Sequence, residues 1–228
     1  MKLLNSPITA IAVRPNSYTV AIVCENGRLY EWNYYDRSPI LEPKKIFESN
    51  NLPTCIEYSP DGRFLCVGTV KGALFFNDYS LDKNGNEVGW TNEEDHQVSK
   101  DKARKGANEK IVPPKILQLA FSPDSQHLAV MDDHCCCTLF KIDYQYRNMN
   151  KAKEWIFSGK LKIHKQPLRG IAFGESQRIL DKQDQPETYL RLFSVSEDKK
   201  LVEYDVAKSN NNKLYEKDII TVSFMEVE

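Results

Sequence analysis

Thr9-Ala10-Ile11-Ala12-Val13-Arg14-Pro15 is answered 45 residues on, without a gap, by Thr54-Cys55-Ile56-Glu57-Tyr58-Ser59-Pro60. The correspondence continues through Gly27 onto Gly72 and Leu29 onto Leu74. A third copy opens at Leu117-Gln118-Leu119-Ala120-Phe121-Ser122-Pro123 and closes in Thr138-Leu139-Phe140-Lys141, with Pro123 as far from Phe140 as Pro15 is from Trp32. A fourth opens at Leu168-Arg169-Gly170-Ile171-Ala172-Phe173 and is interrupted by the polar stretch from Glu175 to Thr188. It closes with Ser196-Glu197-Asp198-Lys199-Lys200-Leu201-Val202-Glu203-Tyr204-Asp205, which aligns residue for residue with the segment from Cys24 to Asn33. Such a period means that each copy is one structural unit, burying its apolar faces against its neighbours.

Within each copy the pattern is that of strands. Ile11 and Val13 alternate with Ala10 and Ala12, and Phe64-Leu65-Cys66-Val67 is a short buried-strand run. Ser-Pro-Asp-Gly at 59 to 62 and Ser-Pro-Asp-Ser at 122 to 125 predict turns, because proline pre-sets the first central angle and Asp and Gly tolerate the next. Asn26-Gly27 supplies a tight hairpin between the following two strands. Strand, turn, strand, turn and a closing aromatic at a period near 45 resembles the WD-repeat β-propeller family. A β-sandwich is the competing architecture, since it also spaces short strands evenly.

The expected fold is therefore all-β, a WD-repeat propeller of about four blades over residues 8–34, 53–79, 116–143 and 168–205. Members of that family commonly close a ring with about seven blades. The chain thus reads as a partial propeller or as part of a larger one, or as one whose edges a partner covers. Ile219 to Glu226 alternates apolar with polar and reads as a strand whose neighbours lie outside this sequence. Alone, the chain is expected to associate or precipitate through exposed blade edges.

Composition narrows the function. The 228 residues carry 31 Lys plus Arg against 32 Asp plus Glu, without the positive excess that generic phosphate-backbone binding requires. Neither a signal peptide nor a membrane span of about 18 apolar residues is legible, so a soluble, intracellular protein is expected, with no nucleic-acid or membrane partner. The six cysteines fall mainly in apolar strand-like runs, which fits free thiols in a reducing compartment.

Several segments carry residue types capable of chemistry. His164 and Asp198 with Ser194 or Ser196 include the members of a hydrolytic triad. The WD-repeat resemblance implies another role for them. In such blades a His before the first strand, a Ser or Thr in the second, an Asp in the hairpin turn and a closing Trp form a structural hydrogen-bond tetrad. The corresponding set here is His164, Ser194, Asp198 and Tyr204, with Tyr204 standing where the tryptophan would be. No nucleophile elbow accompanies it, so no catalytic site is expected.

His134-Cys135-Cys136-Cys137 suggests soft-metal ligation, yet adjacent strand residues point to opposite faces, which favours core packing. Asp82, Asn84, Asn86 and Glu93 match oxygen positions of an EF-hand loop, but Glu87 occupies the place of the sharp-turn glycine. No metal or cofactor is therefore expected. Residues 82–110 read as a solvated, charged insertion between the second and third blades, with Trp90 as a candidate partner anchor. Lys102, Arg104 and Lys105 are further candidate contacts there, in a basic run too short to mark a nuclear signal. Lys151-Ala152-Lys153-Glu154-Trp155-Ile156-Phe157 mixes basic and bulky residues like a calmodulin target, but the repeat register makes it an outer blade strand.

A more specific likeness lies in Trp155-Ile156-Phe157-Ser158-Gly159-Lys160, His164-Lys165-Gln166-Pro167-Leu168-Arg169, Leu190-Arg191-Leu192-Phe193-Ser194 and Asp198 to Asp205, with Ala129 to Asp132 and Cys137 to Lys141 before them. These stretches, strongest from about Ile116 to Asp205, resemble a family of WD-repeat subunits of the calmodulin- and spoke-associated complex of cilia and flagella. The resemblance implies a non-catalytic scaffold in the axoneme at the base of a radial spoke, with a cytoplasmic pool. Its implied partners are other subunits of that complex, the doublet microtubule indirectly, and calmodulin through the complex. The alternative is a generic cytosolic WD-repeat adaptor.

Overall fold

The computed structural model describes residues 4–37, 42–82, 84–90, 113–143, 155–178, 187–210 and 213–221. Its strands form four antiparallel sheets of four strands each. Blade one holds β1 (Ile8–Val13), β2 (Thr19–Cys24), β3 (Arg28–Asn33) and β4 (Lys45–Ile46). Blade two holds β5 (Pro53–Tyr58), β6 (Phe64–Thr69), β7 (Leu74–Leu81) and β8 (Glu87–Trp90). Blade three holds β9 (Ile116–Phe121), β10 (His127–Asp132), β11 (Cys137–Ile142) and β12 (Trp155–Leu161). Blade four holds β13 (Leu168–Arg178), β14 (Glu187–Ser196), β15 (Lys200–Asn210) and β16 (Lys213–Thr221). The first strands lie side by side, β1 by β5, β5 by β9 and β9 by β13, so the sheets stack as the blades of a propeller-like fold.

Each turn follows from its residues. Ser59 accepts from the Phe64 amide at 2.8 Å and donates to Asp61, whose carboxylate also accepts from the Arg63 amide. Gly62 sits at φ +70°, and Ser125 takes the same left-handed place in the third copy at φ +59°. Gly27 turns at φ +75°, where a Cβ would lie 2.9 Å from the Phe47 carbonyl oxygen. The same turns tie blade to blade: Arg14 Nε donates to the Gly62 carbonyl at 2.9 Å, and the Asp61 amide to Ser125 Oγ at 3.0 Å.

The core lies in the junctions between blades, because alternating strand residues point to opposite faces. Ala21, Val23 and Leu29 pack on Ile56, Tyr58, Leu65, Val67 and Phe75. Cys66, Leu74 and Phe76 pack on Leu119, Phe121, Leu128, Val130 and Trp155. Ala129, Cys137 and Leu139 pack on Ile171, Leu192, Val202 and Tyr204.

Three sequence expectations change. Blades one and two gain outer strands that the repeat did not mark, β4 and β8, whereas β12 is the outer strand that the repeat register expects. The segment beginning at Ile219 has a neighbour within the chain, since Ile219 pairs with Val202 and Ile220 with Leu201. The polar stretch after Glu175 is not a simple interruption, because Glu175 pairs with Leu190 and Arg178 with Glu187, lengthening the β13–β14 hairpin.

Candidate functional site

Tertiary structure brings His164, Ser194, Asp198 and Tyr204 together in blade four. His164 follows β12, Ser194 lies in β14, Asp198 in the turn after it and Tyr204 in β15. His164 Nδ1 lies 3.1 and 3.2 Å from the two Asp198 carboxylate oxygens. A carboxylate only accepts, so the ring donates there. His164 Nε2 is 2.7 Å from Ser194 Oγ, and Ser194 Oγ is 2.8 Å from the Tyr204 hydroxyl. Asp198 also accepts from the Lys165 and Lys200 amides at 3.1 and 3.2 Å. Ser196, the other serine of the sequence reading, donates instead to the Gln166 carbonyl at 2.9 Å.

Burial pushes the Asp198 carboxyl up, but the Lys165 amide, the His164 ring and the Lys200 amide together hold it below the usual carboxylate range. Burial pushes the Tyr204 phenol well above its ordinary value. The Ser–His–Asp order is that of a hydrolytic relay, but its surroundings differ. Ser194 is 1% and His164 2% exposed, so a substrate carbonyl has no approach to Ser194 Oγ, which is already engaged by Tyr204. What the relay does is join the loop before β13 to the β14–β15 turn and to both central strands.

The remaining candidates separate. Trp90 is not an exposed anchor in a polar loop: it lies in β8, half-buried, 6.4 Å from the Phe47 ring and 5.9 Å from Lys45 Nζ. The outer strand of blade two captures it because its indole completes the junction with blade one. Lys102, Arg104 and Lys105 lie outside the described residues. Asp82 Oδ1 is taken by the Asn84 and Asn86 amides at 2.8 and 2.9 Å, the geometry of a hairpin turn. Trp155 is buried in β12, the outer strand of blade three, against Phe64, Phe76 and Phe121. Cys136 and Cys137 are buried, and burial pushes their thiols up to about 11 and about 12, so neither is an activated thiolate.

Two clusters went unread in the sequence. Glu31 accepts from Tyr58 at 2.9 Å and from Tyr79, whose ring lies under Arg14 at 4.0 Å. Arg191 forks onto Glu203 at 3.0 and 2.9 Å. A signal did exist, since aligning Cys24–Asn33 with Ser196–Asp205 sets Glu31 on Glu203.

No family model matches the chain. It has curated homologues named Cilia- and flagella-associated protein 251. The Tetrahymena thermophila protein is 40% identical over 220 residues, which are 95% of this chain and 20% of that one. The Chlamydomonas reinhardtii protein is 24% identical over 91% of this chain and 21% of its own length. The Mus musculus protein is 21% identical over 91% of this chain and 13% of its own length. The chain thus spans about a fifth or less of the curated relatives it matches.

Proposed function

We propose that this chain is a segment of a non-catalytic WD-repeat scaffold of the cilium or flagellum, working in the axoneme at the base of a radial spoke. The observation that carries this reading is the 40% identity, across 95% of the chain, to a protein named for its association with cilia and flagella. The fold supports a scaffold role, because stacked blades hold their connecting loops on a rigid frame and such loops are where recognition concentrates. The sealed Ser194 supports a non-catalytic one.

In this reading the loops contact other subunits of the calmodulin- and spoke-associated complex, and through them the doublet microtubule and calmodulin. The test is cross-linking mass spectrometry on salt-washed axonemes from a ciliated source carrying a tagged copy. Cross-links to spoke-base subunits are expected. Recovery of the tag only in the soluble fraction, with partners confined to non-ciliary complexes, would replace the proposal with a cytosolic WD-repeat adaptor.

A further inference from the structure

In all four blades the turn between the second and third strands donates an amide to the loop entering the first strand. Glu25 donates to the Pro7 carbonyl, Val70 to Leu52, Asp133 to Lys115 and Glu197 to Pro167, at 3.0 to 3.1 Å. These turns and loops therefore share one end of the stack. They also meet across junctions: at Gly72 a Cβ would lie 2.9 Å from the Pro114 carbonyl oxygen, so the turn of blade two abuts the loop entering blade three.

Charge is divided at this end by depth. Asp132 is fully buried, accepts from the His134 and Cys136 amides at 3.0 Å and lies 3.3 Å from Lys160 Nζ. Asp198 serves His164 and the Lys165 and Lys200 amides. Asp133 accepts from the Lys115 amide at 2.8 Å, and Glu197 is paired with Arg169. Above these engaged carboxylates Lys71, Lys115, Lys162, Lys165 and Lys199 are exposed, and none has an ionic partner among the described residues. In blade one the same end is mixed, with Glu25 and Glu48 exposed beside Arg28 and Lys44. The near-balanced total of 31 cationic and 32 anionic side chains conceals a positive face over blades two to four.

Such a face attracts a negatively charged partner and sets its orientation. Two features favour a polypeptide over a nucleic acid. Leu117, 37% exposed, stands two residues from Lys115 and offers apolar surface that a side chain can cover. The exposed rings of Tyr18, Tyr34, Tyr35 and Tyr189 lie toward the other end of the sheets, so among the described residues no exposed ring on this face stacks a base. We propose that the face running from Lys71 across Lys115 and Lys162 to Lys199 docks an acidic polypeptide segment, with an apolar side chain of that segment on Leu117. The inference stands apart from the ciliary reading.

The test is fluorescence anisotropy of the purified 228-residue chain with a labelled peptide of glutamate and leucine, beside a lysine peptide and a DNA duplex of matching length. The acidic peptide should bind, and severalfold more weakly at about 300 mM than at about 50 mM salt, because salt screens exposed charges. Lys162→Glu should weaken binding about fivefold, and Lys162→Glu with Lys199→Glu about tenfold or more. Both variants should keep a cooperative melt, since these side chains are exposed. Lys208→Glu makes the same change of charge toward the other end of blade four, where Lys208 is 77% exposed, and should change binding less than about twofold. Absence of binding, equal binding of the lysine peptide, equal weakening by Lys208→Glu, or a preference for the duplex overturns the proposal.

Discussion

Where blades two and three meet, Trp155 stacks on Phe76 at 5.3 Å and 9° and meets Phe64 and Phe121 edge-on at 5.3 and 5.5 Å. Where blades three and four meet, the corresponding face carries the hydrogen-bonded relay of Tyr204, Ser194, His164 and Asp198, with the Tyr204 hydroxyl against Cys137 of blade three. Ser194 occupies the position held in blade three by Val130, and Tyr204 that held by Phe140. Aromatic packing fills the junction by volume and ties no loop. The relay joins loop, turn and strands, but every donor and acceptor must be present, because an unpaired polar group in the interior costs more than a made bond returns.

The largest expected effect breaks the aromatic side. Trp155→Ala should cost about 3–5 kcal/mol, the usual range for emptying a buried aromatic site, read as a lower urea midpoint. Its indole nitrogen finds no acceptor among the described residues, so Trp155→Phe should recover most of that loss. Full loss in the phenylalanine variant would move the tryptophan's role from ring surface to its N–H.

On the polar side, His164→Ala should cost about 1–3 kcal/mol by leaving Asp198 and Ser194 without their shared partner. Combined with Ser194→Ala it should cost less than the sum of the two single changes, since both cut one relay. Strict additivity in a double-mutant cycle would show that the four side chains do not act together.

The smallest effect distinguishes the junctions by pH. Glu57 lies opposite Cys66, and burial pushes its carboxyl up to about 7. A folded value raised above the unfolded one gives a contribution that is complete below the ordinary glutamate range and lost as pH rises through about 7. Asp198 has the opposite sign: its carboxyl is held low, so its contribution is present above the ordinary aspartate range and lost as pH falls through its folded value. Urea midpoints from acid to mildly alkaline pH should therefore lose their decline between the ordinary glutamate range and about pH 7 in Glu57→Gln and soften their acid decline in Asp198→Asn. Unchanged profiles in both variants would remove these groups from the pH dependence.

Much of this was legible from local pattern. Alternation and the repeat marked the inner strands of the blades, Ser-Pro-Asp marked the turns of blades two and three, and the WD-repeat resemblance implied the set of His164, Ser194, Asp198 and Tyr204 that contacts of 2.7 to 3.2 Å join. The outer strands of blades one and two escaped because they pair along one edge only, as with the two residues of β4, and carry little period of their own. Trp90 looked like a loop residue because its charged neighbours said nothing of the β7 strand it would join.

What the sequence by itself determined was the repeating unit, because turn chemistry and a two-residue alternation are local properties of the chain. What only the tertiary structure decided was which face each unit covers. Ile11 and Ile56 hold the same place in the same repeat, yet one is exposed and the other buried, because burial depends on whether a neighbouring blade stands opposite.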